Sequence, residues 1–425
     1  MKLAALFLFA ALLHAWQASP FETHLASGRA ALRQSRYAEA DRQLRAAVGE
    51  AQSDASAIAA LDTLCDLDLL VGKYDEAVAL AERAAVALED SAHLARLAGA
   101  YRADNQTPKA APVLEKVVAL DIAAAGPDDP KVAVDYDSLG SARVEMHSFD
   151  DARAAYGKAL ESRMRRLAPD DLEIANNYVS LAILEEKDKK PTAARDDLEK
   201  ALTVTEKKVG EESYSLTGIL DRLGLLLRQM KNYDEAEPVL QRSLAIREKT
   251  LGARHSDVAP ALDNLALTYF ADKKFAEAEP LLARSMQIWL ATQGPWSPLY
   301  AQALDNLGSV YSAQQRFDEA EPLFKHALGI REQSDIESLT NLALIYQAKN
   351  DAKSAELYFQ RAILIGEKGM GGDHSDQISV TLEDYQTFLT AVGRTAEAKK
   401  LAAHIKELSD HKVAEAAPNA HKTDK

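Results

Sequence analysis

The 425-residue chain carries one cysteine, Cys65, so neither an intramolecular disulfide framework nor a cysteine-rich metal site can be built from it. Glycine (19) and proline (14) are few for this length, while alanine and leucine dominate, which points to helix throughout. Cations are in deficit: 50 Lys and Arg stand against 65 Asp and Glu, a net charge of −15. That sign argues against nucleic acid or an anionic membrane surface as the main partner. The ten histidines are scattered, with no pair at metal-ligand spacing. No nucleophile elbow and no His-Glu-x-x-His motif occurs. Gly366-Glu367-Lys368-Gly369-Met370-Gly371-Gly372 lacks the preceding strand and the lysine-plus-hydroxyl ending of a phosphate-binding loop. No catalytic, cofactor-binding or metal-ligating set assembles, so the chain is read as a non-enzyme. What is present, 47% hydrophobic and 27% charged residues, is a globular balance that excludes wholesale disorder.

Residues 1–18 start with Lys2, run through the apolar stretch Leu3–Leu13 and end in small residues near Ala15 and Ala18. This is the layout of a secretory signal peptide, and the run is short for a membrane span. The expectation is export, to the periplasm or beyond the cell, with no membrane insertion once the leader is cut. Trp16 stands where a small residue is preferred before the cleavage point, so a retained N-terminal anchor is the alternative.

Internal repetition is the strongest signal in the chain. An anchor alanine recurs as Ala40, Ala77, Ala110, Ala152, Ala194, Ala236, Ala278, Ala320, Ala355 and Ala398, at intervals of 37, 33, 42, 42, 42, 42, 42, 35 and 43 residues. Four residues after it stand bulky side chains such as Leu44, Tyr156, Leu240 and Phe324, and seven after it small ones such as Ala47, Ala159, Ser243 and Ala327. Offsets of zero, four and seven share one helical face. Twelve residues before the anchor a small residue recurs, as Gly28, Ala98, Gly140, Gly224 and Gly308. Two antiparallel helices approach closely only where side chains are small, so each repeat specifies a helical hairpin. Cys65 falls in the same small-residue slot and is read as a packing residue. Pro112, Pro238, Pro280 and Pro322, two residues after the anchor, are expected in or near the first turn of the second helix. Gly252, Gly294 and Gly371-Gly372 are expected to stop it. His255 and His374 occupy equivalent loops and are expected to shape them.

The combination Leu307-Gly308, Tyr311, Phe317-Asp318-Glu319-Ala320, Phe324 and Ala327 resembles a tetratricopeptide repeat. The 42-residue variant, with Ala236-Glu237-Pro238-Val239-Leu240, Leu251-Gly252, His255-Ser256-Asp257 and Asp263-Asn264-Leu265-Ala266, is similar to the repeats of kinesin light chains and their bacterial relatives. The resemblance covers about residues 21–408. It implies an all-α fold, a right-handed α-solenoid of about ten hairpins over residues 19–410. No Pro/Ser/Gly-rich linker interrupts it, so one continuous array is expected, followed by a disordered tail at 411–425. The resemblance also implies a non-enzymatic interaction scaffold or adaptor, binding a peptide or protein segment in its concave groove without cofactor, and the leader points to the cell envelope as its place. The alternative is a structural or self-associating envelope protein that uses its convex face or end caps.

Fifteen residues before the anchor lie Asp137, Asp221, Asp263, Asp305 and, in the last repeat, Glu383; one residue later come Asn264, Asn306 and Asn341. In tetratricopeptide arrays that offset belongs to the first helix and lines the groove. The aspartates are therefore expected to form a negative stripe, broken at Val179, that attracts basic segments; a merely solvated acidic face is the alternative. Lys412, Lys422 and Lys425 of the tail are candidates to occupy it. Trp289 replaces the arginine of neighbouring repeats (Arg247, Arg331), and Trp296 lies in the loop Gly294-Pro295-Trp296-Ser297-Pro298. Both are candidate partner contacts, with packing against the next hairpin as the alternative.

Overall fold

The computed structural model describes residues 19–331, 336–368 and 375–416. The leader at 1–18, the glycine pair Gly371-Gly372, His374 and the lysines Lys422 and Lys425 lie outside these residues. Among the described residues there are twenty α-helices, one short 3₁₀ turn (Tyr214–Leu216) and no strand. They divide into two units at Gly210 and Glu211.

The first unit holds five hairpins: α1 (Pro20–Arg33) with α2 (Tyr37–Glu50), α3 (Asp54–Leu70) with α4 (Tyr74–Ala87), α5 (Ser91–Ala103) with α6 (Thr107–Ala125), α7 (Pro130–Glu145) with α8 (Phe149–Arg166), and α9 (Leu172–Lys187) with α10 (Pro191–Val209). The second holds five more: α11 (Thr217–Gln229) with α12 (Tyr233–Leu251), α13 (Val258–Ala271) with α14 (Phe275–Gln293), α15 (Pro298–Ala313) with α16 (Phe317–Ile330), α17 (Ile336–Ala348) with α18 (Ala352–Lys368), and α19 (Ser375–Ala391) with α20 (Thr395–Ala416). Within each unit, successive hairpins pack on one another.

The sequence dictates this arrangement locally. All ten anchor alanines are buried on the second helices. Against the anchor face of each hairpin, the small residue of the first helix receives the bulky one of the second. A Cβ added to Gly224 would sit 2.5 Å from Leu240, and one added to Gly140 would sit 2.8 Å from Tyr156, closer than van der Waals contact allows. In the second hairpin the sizes are exchanged: Cys65 fills the small slot and the position four residues after the anchor is Ala81, also buried. Cys65 Sγ lies 3.5 Å from the Ala77 carbonyl oxygen. Burial, followed by the charge of Asp66, pushes its thiol up to about 12, so it is inert as a nucleophile.

The turn joining the two helices is the same in all ten hairpins. Five residues before each anchor the backbone is left-handed, at Gly72 and Gly393 but otherwise at non-glycine residues such as Asn105, Lys231 and Lys273. The next residue donates its N–H to a carbonyl five residues earlier, as Asn232 to Leu227 at 2.9 Å and Lys274 to Tyr269 at 2.8 Å. These are the marks of a Schellman termination. The second helix then starts at once, three residues before the anchor and without a side-chain cap in, for example, α12 and α14. First helices begin instead at side-chain caps, among them Ser19, Ser53, Asp90, Asp129, Asp171 and Ser297.

Because the second helix starts before the anchor, Pro112, Pro238, Pro280 and Pro322 fall in its second turn, not its first. Each removes one intrahelical hydrogen bond. All four lie on the exposed face, where water can satisfy the freed carbonyl. The long repeats do lengthen this helix: α12 and α14 have 19 residues, whereas α2, α4 and α16, which precede the short intervals, have 14. Gly126, Gly210, Gly252 and Gly294, all at positive φ, end the longer ones. In the loop that follows Gly252, Asp257 donates its backbone N–H to His255 Nδ1 at 3.2 Å.

Candidate functional site

The first helices carry two parallel lines of polar residues, one residue apart, with different surroundings. The aspartate line is turned toward the second helix of its own hairpin. Arg247 of α12 reaches Asp221 of α11 with two hydrogen bonds, at 2.6 and 3.0 Å, and Ser243 adds a third. Arg163 of α8 reaches Asp137 of α7 with one hydrogen bond, to Oδ2, and Arg331, just after α16, holds Asp305 of α15. The spacing from aspartate to arginine is 26 residues in each case. The Asp305 side chain is fully buried, and Ser338 of the next hairpin donates to it at 2.9 Å. Asp62, at the same offset in the second hairpin, meets Arg96 at 2.9 Å.

This corrects the expectation of a free negative stripe. The carboxylates alone would attract cations, but the arginines eleven residues after the anchor already meet them. With those in place Asp137, Asp221 and Asp305 are neutralised and serve as hairpin fasteners. Glu383, in the last hairpin, is exposed.

Asp263 of α13 is the exception that Trp289 explains. Trp289 of α14 stands at the arginine position and is buried, and its Nε1–H donates to Asp263 Oδ2 at 3.3 Å. An indole supplies a donor but no charge. Burial therefore raises the Asp263 carboxyl above its ordinary range, opposed only by the neighbouring Ser285 hydroxyl and the Trp289 indole. Neither Asp263 Oδ1 nor Ser285 Oγ completes a hydrogen bond of normal geometry among the described residues. Trp289 is thus a packing residue of the hairpin, which overturns its reading as a partner contact.

The second line faces outward from the hairpins. Asn264 of α13, Asn306 of α15 and Asn341 of α17 are half-buried, in three successive hairpins of the second unit. Asn306 Oδ1 accepts from Gln302 at 3.2 Å. The side-chain amides of Asn264 and Asn341 make no hydrogen bond among the described residues, and neither carries a net charge. One turn further along the same helices come Leu267, Ser309 and Leu344. Asn341 and Leu344 line a cavity of about 380 Å³ between α17 and α19, with Thr340, Val380, Thr381 and Asp384 among its other walls. Burial, then the charge of Glu383, raises the Asp384 carboxyl.

Trp296 lies apart from this surface. It is 76% exposed in the loop after α14, with exposed Leu290 and Leu299 close to it in sequence. Among the described residues no group of three or more His, Cys, Asp and Glu side chains could hold a metal ion. No described helix is long and apolar enough to cross a membrane.

Comparison with known proteins agrees with this geometry. Two family models, both described as tetratricopeptide repeat, match residues 136–207, 215–280 and 257–333, and residues 336–376. No curated protein matches the chain. Among solved structures, the apo form of RapI is 16% identical, with 67% of this chain and 99% of that one covered and a TM-score of 0.50. BtubC (BKLC) from P. vanneervenii is 23% identical over 54% of this chain and 91% of its own, with a TM-score of 0.47. A putative kinesin light chain from Podosopora anserina with nearly identical repeats is 19% identical over 49% and 98%, at 0.44. The anchor alanines, the size-matched hairpin contacts and a family match over more than half of the sequence have one common account: the chain belongs to the tetratricopeptide repeat family.

Proposed function

We propose that the protein is a non-enzymatic interaction scaffold or adaptor of the cell envelope, and that the outward face of its first helices binds an extended peptide or protein segment. One observation carries this reading. Asn264, Asn306 and Asn341 recur at one offset in three successive hairpins, and two of these amides have no hydrogen-bond partner among the described residues. A carboxamide presents both donor and acceptor, which is what an extended backbone needs from a surface that reads it independently of sequence. Leu267 and Leu344 beside the amides supply apolar contact for alternate side chains. Because the aspartates are already paired, this face favours an uncharged stretch of ligand over a basic one. The leader-like residues 1–18 are the support for placing the scaffold in the envelope, periplasmic or secreted.

The test is capture from envelope extract by the full chain and by the triple variant Asn264→Ala, Asn306→Ala, Asn341→Ala, with equal thermal melting of the two as a control for folding. A protein retained by the native chain and lost by the variant supports the reading. Identical retention by both removes the asparagine face from consideration.

A second reading, self-association or assembly through another surface, is favoured by Trp296. An exposed tryptophan is the side chain most often found as an interface anchor. Analytical ultracentrifugation of the native chain and Trp296→Ala decides it: a concentration-dependent dimer that disappears in the variant supports assembly, and two monomers reject it.

A further inference from the structure

The junction between the third and fourth hairpins of the first unit is built differently from the one that follows it. Arg163, eleven residues after its anchor, donates to Asn177 of the next hairpin at 3.0 Å. One repeat earlier, the arginine position holds Asp121 on α6 and the asparagine position holds Asp135 on α7. The fold thus brings two carboxyls together where the following junction seats a cation and an amide. Both residues are only 7% exposed, and their side chains are in hydrogen-bond contact.

The surrounding charges do not neutralise both. Lys131 Nζ, on α7, is 2.9 Å from Asp121 Oδ2 and 2.6 Å from Ser91 Oγ at the start of α5, so the ammonium serves Asp121. Asp129, before α7, acts on Asp135 with the wrong sign, and Asp90, before α5, acts on Lys131. Of the α8 arginines near this junction, Arg163 is held by Asp137, Glu173 and Asn177, and Arg165 by Asp128 and Glu161. Asp135 Oδ2 is buried without a donor. Two carboxylates in contact in a low-dielectric junction cannot both ionise cheaply, and they share a proton.

We propose that Asp121 and Asp135 form a proton-held latch between the third and fourth hairpins, closed while one proton lies between them and loosened when it leaves. Burial and the Asp121 carboxyl push Asp135 up to about 7. Against its own burial, Asp121 is kept below its usual value by Ser91 and Lys131. The folded value of Asp135 lies above the roughly 3.9 of a free aspartate. Its contribution is therefore fully present below that ordinary value and is lost as pH rises through about 7. The latch joins α6 to α7, the contact through which the fourth hairpin sits on the third.

The test is amide hydrogen exchange of the full chain at pH 6 and pH 8, after correction for intrinsic exchange rates. Protection across α6 and α7 is expected to fall about tenfold or more in the native chain, a tenfold change corresponding to one pKa unit. In Asp135→Asn, which copies the residue of the following junction, it is expected to stay level. Equal loss in both chains, or no loss in the native one, overturns the latch. Carboxyl NMR titration of the native chain provides a readout independent of any variant. A resonance from Asp135 titrating near neutral pH upholds the proposal, and one titrating near 4 rejects it.

Discussion

At the scale of single residues, the informative positions are those where one repeat departs from the others. Trp289 in place of arginine leaves Asp263 buried with an indole as its partner. Asp263 has a folded pKa above its unfolded value. It favours the fold when protonated, and that contribution is lost as pH rises from the ordinary carboxyl range through the raised value. Asp263→Asn should therefore stabilise the second unit at pH 8, by about 1 kcal/mol, and have little effect at pH 4; urea unfolding at the two pH values measures it. Trp289→Arg should remove the same pH dependence by restoring the ion pair seen at Asp221 and Arg247. The signal for this was visible in the sequence, since Trp289 replaces an aligned arginine. What hid the pairing is that aspartate and arginine are 26 residues apart, on different helices, so no local periodicity connects them.

At the scale of the helix and the turn, much was legible because the constraint is steric and repeats. A glycine or alanine against a large partner, ten anchors and one amphipathic face determine a hairpin without reference to the rest of the chain. Gly224→Ala should cost about 1–3 kcal/mol by overpacking against Leu240. Adding Leu240→Ala should recover part of that loss, because the second hairpin already works with Cys65 against Ala81. A double-mutant cycle by urea unfolding reads the coupling, and strict additivity would reject the size-matching account. The turns were not legible. Their left-handed position is filled by Ser, Asn, His, Lys or Gln in eight of ten hairpins, so glycine does not mark it, and the start of the second helix was placed too late as a result. Lys273, with φ of 63°, is such a position. Lys273→Gly should stabilise by up to about 1 kcal/mol by relieving the left-handed strain, and Lys273→Val should destabilise; thermal melting of the two variants gives the sign.

At the scale of the whole molecule, the family and the all-helical class follow from the repeat alone, and which polar line of the first helices is already paired does not. The aspartates stand out beside the asparagine line because charge is visible in a sequence and its neutralisation is not. The junctions between hairpins show why. In the first four hairpins of the second unit the residue after the anchor is a glutamate that accepts from the next hairpin. Tyr269 donates to Glu237 at 2.9 Å, Tyr346 to Glu321 at 2.8 Å and Tyr385 to Glu356 at 3.2 Å. Lys274, Arg316, Lys349 and Arg394 bring cations to Glu237, Glu279, Glu321 and Glu356. Each of these four hairpins therefore offers a carboxylate forward and receives a cation, and in three of them a hydroxyl, from its successor.

That asymmetry gives the second unit a direction of growth. At Ala398 the residue after the anchor is the exposed Lys399, so a further hairpin presenting the same tyrosine and cation would meet like charge instead of an acceptor. A copied repeat spliced between existing ones inherits complementary faces on both sides, whereas one attached after α20 does not until Lys399 is made acidic. Insertion keeps the junction chemistry intact, and addition after α20 calls for a change of sign at Lys399 first.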